Sequence, residues 1–256
     1  MIVTIDVGNS NVVVVGYDEN QTRIITLRVE TKKERAKEYY RQILHKIKSQ
    51  TKRTVEGVII ASVVPKMTMI LLDIIEETFK VKPFNVKVSN IPEFVIKLDD
   101  PDELGADFIA TAYGAIAKAK FPAVIADMGS ATKLSVIDQN MQFAGGVIIP
   151  GVKISSEALV QFIPHLPEIE LELPQDVIGH DTISAMQSGL LYGVIGSIEG
   201  IANRIEKQMG IKMHRILTGG FSNIVHQEMS DFEFEPFLLN DGLYYLYNEK
   251  KVHHER

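Results

Sequence analysis

The chain contains no cysteine and no tryptophan, and aromatic residues make up only 7% of it. Without cysteine there are no disulfides, no thiolate nucleophile and no cysteine-ligated metal, a composition compatible with a reducing cytoplasm. A run of about 18 apolar residues, the length of a membrane span, is missing. The opening Met1-Ile2-Val3-Thr4-Ile5-Asp6 lacks the basic region and long apolar core of a signal peptide. The expectation is a cytoplasmic protein with no membrane partner. Positive charge is also short: the formal net charge is -6, so polyanions are not attracted at long range and a nucleic-acid partner would need a local basic patch. The one candidate, Lys32 to Arg53, carries Tyr39, Tyr40, Ile43, Leu44 and Ile47 at helical spacing. Its basic residues therefore read as the solvated face of an amphipathic helix, and no nucleic acid is expected. Neither Gly-x-x-x-x-Gly-Lys-Ser/Thr nor Gly-x-Gly-x-x-Gly occurs, which argues against Walker-type NTPases and Rossmann dehydrogenases. The histidines lack metalloprotease spacing, and His253-His254 reads as a solvated tail.

What is present is 256 residues with 45% hydrophobic content, enough for one large core or two modest ones. Apolar β-branched runs at Ile2 to Val7, Asn11 to Tyr17 and Arg23 to Val29 read as strands. A helix at Glu34 to Ser49, a strand at Val55 to Val64 and a helix at Lys66 to Phe79 follow. After a loop-like stretch around Val88 to Asp100, a helix is expected from Glu103 to Ala119. The three-strand pattern then recurs at Ala123 to Ala126, Leu134 to Asp138 and Gln142 to Ile149. Helices at Val152 to Gln161 and Thr182 to Gln208, a strand at His214 to Leu217 and a helix near Ser222 to Met229 complete the reading. Two halves that each open with strand, Asp-x-Gly turn and strand point to a duplicated α/β architecture, with domains at 1–115 and 116–256.

The turn Asp6-Val7-Gly8-Asn9-Ser10-Asn11 is the strongest chemical feature. Glycine allows close backbone approach to a phosphate, Asn9, Ser10 and Asn11 carry uncharged donors, and Asp6 suits a cation or its water shell. By itself the turn also fits an ordinary tight hairpin. Asp127-Met128-Gly129-Ser130-Ala131-Thr132 repeats it in the second half, as two jaws around a triphosphate would require. A third glycine turn, Thr218-Gly219-Gly220, lies between a strand and a helix and suits an adenine or ribose. Asp107 opens an otherwise apolar helix; it reads either as an acid gaining from the helix dipole or as a base for a substrate hydroxyl.

Together these residues resemble the type III pantothenate kinases. The matching blocks include Asp6 to Asn11, Ser62-Val63-Val64-Pro65, Glu103 to Asp107, Asp127 to Thr132, Gly145 to Gly151, Ile178 to Thr182, Gln187-Ser188-Gly189, Tyr192-Gly193 and Thr218-Gly219-Gly220. The resemblance implies a two-domain actin-like ATPase (ribonuclease H-like) fold with duplicated mixed sheets and flanking helices. It implies transfer of the ATP γ-phosphate to pantothenate by a homodimer that uses Mg2+ and a monovalent cation, K+ or NH4+. By position, Asp6, Val7, Gly8, Asn9, Ser10 and Asn11 are similar to the nucleotide-phosphate loop, with Ser130 as a further nucleotide contact. Asp107 is similar to the catalytic base, and Asp127, with Asp6, to the metal ligands. Gly105, Ala106, Asp107 and Thr182 match the pantothenate contacts. Phe108 stands where the family has arginine, Leu98 where it has tyrosine, and Lys133 ends a run that the family closes with threonine. Loss of an arginine that binds a substrate anion would cost about 2–5 kcal/mol, with Lys97 or Lys133 as replacement charges. Two other readings stay open on these departures: a kinase for another small alcohol, and a catalytically degenerate nucleotide-binding regulatory protein.

Overall fold

The structure, a computed structural model, describes residues 1–51 and 53–254. Lys52 of the basic segment lies outside the described residues, as do the side chains of His253 and His254. The chain forms two compact units. Unit 1 holds Met1–Val95, Asp99–Ala119 and the segment from Leu238 onward; unit 2 holds Ile96–Leu98 and Lys120–Phe237.

In unit 1, β1 (Ile2–Val7), β2 (Asn11–Tyr17) and β3 (Arg23–Glu30) form an antiparallel meander, and β4 (Gly57–Ser62) and β5 (Phe84–Asn85) add in parallel beyond β1. The order is β3-β2-β1-β4-β5. Strand alternation sends Val3, Ile5 and Val7 to one face, where they bury against Tyr40, Leu44 and Ile47 of α1 (Ala36–Thr51) and Met67, Leu71 and Ile74 of α2 (Pro65–Phe79). The lysines of α1 at 37 and 46 are exposed, as its periodicity predicts, and Lys48 donates to the Thr78 carbonyl on α2 at 2.7 Å. The other face is covered by α3 (Ala106–Ala117) and α7 (Leu238–His254). A Cβ on Gly242 would lie 1.9 Å from the Ala110 carbonyl oxygen, and one on Gly114 would lie 2.3 Å from that of Leu238. These two glycines let the helix backbones touch. On the same face Asn240 donates to Thr4 Oγ1 at 2.9 Å, and the buried Tyr17 hydroxyl donates to Asp241 at 2.7 Å. Burial, together with the Asp241 charge, pushes the Tyr17 hydroxyl pKa up.

Unit 2 repeats the plan. β6 (Ala123–Met128), β7 (Ala131–Ile137) and β8 (Phe143–Pro150) form the meander, and β9 (His214–Thr218) and β10 (Glu233–Phe234) extend it in parallel, in the order β8-β7-β6-β9-β10. Ile96 bridges to Phe143, and the Lys97 N–H donates to the Phe143 carbonyl at 2.8 Å, so residues 96–98 belong to this edge. Val124, Ala126, Met128 and Leu134 bury against Leu191, Val194, Ile195 and Ile198 of α5 (Thr182–Met209). Before α5 come α4 (Val152–Phe162) and an irregular stretch, 163–181; after β9 comes the short α6 (Ser222–Val225). Arg215 on β9 ties to Glu206 on α5 at 2.9 and 3.0 Å, and Lys212 adds a third contact at 2.8 Å. The Arg215 hydrogen bonds, opposed by burial and reinforced by Lys212, hold the Glu206 carboxyl at a pKa of about 2.

The succession of elements along the chain and the two hairpins follow the sequence reading. The helix expected from Glu103 begins instead at Ala106, because Leu104 and Gly105 are extended and Pro101–Glu103 forms a separate 3-10 turn. Residue 115 falls inside α3, and the contact division comes after Ala119. The helix at Leu238–His254 had no counterpart in the sequence reading, and it packs in unit 1.

Candidate functional site

The first turn is held open by its own backbone and by the strand end beside it. The Gly8 N–H donates to the Asn11 carbonyl at 2.9 Å. Thr31, just past β3, donates its N–H to the Ser10 carbonyl at 2.9 Å and its hydroxyl to the Gly8 carbonyl at 2.7 Å. With these carbonyls occupied, the tip presents Asn9 and Ser10, both exposed, above the half-buried Asp6. Tying these carbonyls back leaves the Asn9 and Ser10 side chains, both able to donate, at the exposed tip. Asp6 shares the sheet face of Thr4, the face covered by α3 and α7. Thr31 was not singled out from sequence; it follows a strand and carries no local signal.

Asp107 is the second helical residue of α3. Its Oδ1 accepts the Phe108 N–H at 2.9 Å, and a Cβ on Gly105 would sit 2.5 Å from that oxygen. The glycine at the cap is what lets the carboxylate fold against the helix N-terminus, where the dipole favours negative charge. Gly105, Ala106, Asp107 and Phe108 are all partly exposed and contiguous. β1 and α3 thus put both acids of unit 1 on the same side of its sheet.

In unit 2 the second turn is clamped from two sides. A Cβ on Gly151 would lie 2.0 Å from the Ser130 carbonyl oxygen, and one on Gly219, at φ +93°, would lie 2.5 Å from Asp127 Oδ1. The Phe221 N–H donates to the Met128 carbonyl at 3.0 Å, fixing the Gly219-Gly220 turn to the hairpin. The sequence suggested hydroxyls along this motif; Ser130 is partly exposed at the tip, whereas Thr132 is fully buried. Asp127 stands opposite Lys133 across β6 and β7, with 3.1 Å between Oδ2 and Nζ. A site for a monovalent metal ion needs several oxygen ligands and no competing cation. Here one carboxylate oxygen meets an ammonium and the other lies against a backbone turn. The side chains at Asp127 therefore do not fit a bound K+.

Thr182 opens α5, behind a capping box in which the Ser184 N–H donates to Asp181 Oδ1 at 2.8 Å. The blocks Gln187-Ser188 and Tyr192 prove to be laces: Gln187 donates to the Glu170 carbonyl, Ser188 to that of Val177 and Tyr192 to that of Pro174, pinning the irregular 163–181 stretch along α5. Of the two lysines considered as substitutes for the missing arginine, Lys97 pairs with Asp138 at 2.6 Å and Lys133 with Asp127. Among the described residues no helix is long and apolar enough to cross a membrane.

The family model described as type III pantothenate kinase matches residues 2–204. Among solved structures, a Baf-family protein from Campylobacter jejuni is 18% identical, with 98% of this chain and 99% of that one covered at a TM-score of 0.62. The ethanolamine utilization protein EutJ from Carboxydothermus hydrogenoformans is 11% identical, with 94% and 88% covered at 0.60. A ROK family glucokinase from Streptomyces griseus, solved with glucose and AMPPNP, is 10% identical, with 95% and 97% covered at 0.54. At these identities the likeness is one of fold, that of the actin-like ATPases and sugar kinases.

Proposed function

Because this chain belongs to the type III pantothenate kinase family, and so carries out ATP-dependent phosphorylation of pantothenate to 4′-phosphopantothenate in coenzyme A biosynthesis, we propose how its residues divide that work. The observation that carries the assignment is the pair of Asp-x-Gly turns at equivalent places in two sheets of identical strand order. Asp6 to Asn11 hold the ATP phosphates through backbone N–H groups and the Asn9, Ser10 and Asn11 side chains, and Ser130 adds a hydroxyl from the second turn. The divalent metal, Mg2+, arrives with ATP as part of the substrate, and Asp6 is the carboxylate that meets it or its waters. Asp107 accepts the proton of the pantothenate primary hydroxyl as that oxygen attacks the γ-phosphate. Gly105, Ala106 and Thr182 contact pantothenate, and Phe108 offers an apolar wall where the family has a guanidinium.

The finer features follow the family pattern. The protein is assigned to the cytoplasm. It acts as a homodimer, a reading supported by the large apolar side chains that unit 2 leaves exposed: Ile148, Phe162, Val177, Ile178 and Ile183. For the monovalent cation, K+ or NH4+, the family position is Asp127, where an ammonium already stands.

The test is incubation of the purified protein with ATP, Mg2+ and pantothenate, with mass spectrometry for 4′-phosphopantothenate. Product that disappears in Asp107→Asn supports the assignment. Product formed equally by that variant removes Asp107 from the base role.

A further inference from the structure

Asp127 and Lys133 meet because strand register places them together. They are direct cross-strand partners on β6 and β7, so both side chains leave the same face of the sheet. The carboxylate and ammonium are only 14% and 15% exposed at 3.1 Å. Burying a lysine so far is costly unless its charge is matched, and Asp127 matches it. The fold itself does not ask for lysine: in unit 1, whose hairpin tip is one residue longer, the residue opposite Asp6 is Val13. A substituted ammonium carries the same single charge as K+ or NH4+, donates three hydrogen bonds, and cannot dissociate.

We propose that the Lys133 ammonium is the monovalent cation of this phosphate site, held in place by Asp127, so that nucleotide binding by this chain requires no added K+ or NH4+. The proposal rests on the reading that the second turn lies beside the nucleotide phosphates. Its advantage over a bound ion is positional: the charge is present at any K+ concentration, and its stem is fixed by the strand.

The experiment is calorimetric binding of AMPPNP with Mg2+, which needs no acceptor alcohol, in KCl and in choline chloride of equal ionic strength. The wild-type affinity is expected to be the same in both salts within about twofold, and Lys133→Thr is expected to bind at least about tenfold more weakly in choline chloride, the loss of one charge-assisted contact. KCl or NH4Cl should restore that variant, with cooperative thermal unfolding verifying that it is folded. A wild-type affinity that rises tenfold in KCl overturns the proposal without any variant. So does a Lys133→Thr protein as tight as wild type in choline chloride, or one that KCl leaves weak. Absence of AMPPNP binding in every salt overturns the nucleotide-site reading itself, and the proposal with it.

Discussion

In unit 1 the row running outward from the first strand is Asp6, Val13, Arg28; in unit 2 the equivalent row is Asp127, Lys133, Ile148. The scaffolds agree in strand order and in the bond from the following parallel strand's end, Val63 to Val7 in one and Phe221 to Met128 in the other, while the hairpin tip is one residue shorter in unit 2. They differ in where the positive charge stands. In unit 2 it is adjacent to the acid and mostly buried, whereas in unit 1 a valine intervenes and the arginine is exposed on the edge strand. A repeated fold thus supplies two acids with different duties. Asp127 is paired within its own hairpin, while the residue opposite Asp6 on β2 is a neutral valine.

The sharpest way to break this comparison is at the chemistry, which it assigns to unit 1. Asp107→Asn should lower kcat by ~100-fold or more with AMPPNP affinity retained, the usual size of a general-base contribution; steady-state kinetics with calorimetry checks it. In unit 2 the largest expected effect is on stability. Glu206→Gln takes from Arg215 its buried carboxylate partner, leaving Asn203 at 2.7 Å and the exposed Asp231 at 3.8 Å, and should cost about 3 kcal/mol in urea unfolding at neutral pH. Because the folded Glu206 pKa is depressed to about 2, its contribution is complete above the ordinary glutamate range and fades as pH falls toward 2, so the gap between variant and wild type should narrow in acid. Glycines separate the two turns further. Gly219→Ala forces a side chain onto φ +93° and against Asp127, for an expected loss of about 1–3 kcal/mol. Gly8→Ala meets only the Asn11 carbonyl oxygen, at 3.2 Å, and should change stability by less than about 1 kcal/mol while weakening ATP binding.

Much of this was readable in the sequence, for physical reasons that also explain the rest. The meanders of both units appear as β-branched runs, and α1 as apolar residues at helical spacing over a basic face, because burial on one side leaves a period. The two turn acids stand out because the same Asp-x-Gly turn recurs at corresponding points of the two halves, whereas either turn alone is ordinary hairpin chemistry. The helix at Leu238–His254 left no such trace: Asn240, Asp241 and Gly242 in its first turns are poor helix formers, each retained for a distant partner, Thr4, Tyr17 and the α3 backbone. Thr31 and the lacing residues of α5 act through hydrogen bonds to backbone carbonyls, which impose no sequence period. The partnership of Asp127 with Lys133 depends on a register that only paired strands define.

That returning helix sets an order of assembly. Unit 2 is made almost entirely from one uninterrupted stretch and has every strand it needs once Phe234 has left the ribosome, whereas the first residues synthesised must wait for the segment after Leu238 before Thr4, Tyr17 and Gly114 meet their partners. In vectorial synthesis the later-encoded unit is therefore complete before the earlier one, and the nascent N-terminal sheet spends that interval with one face covered by α3 alone.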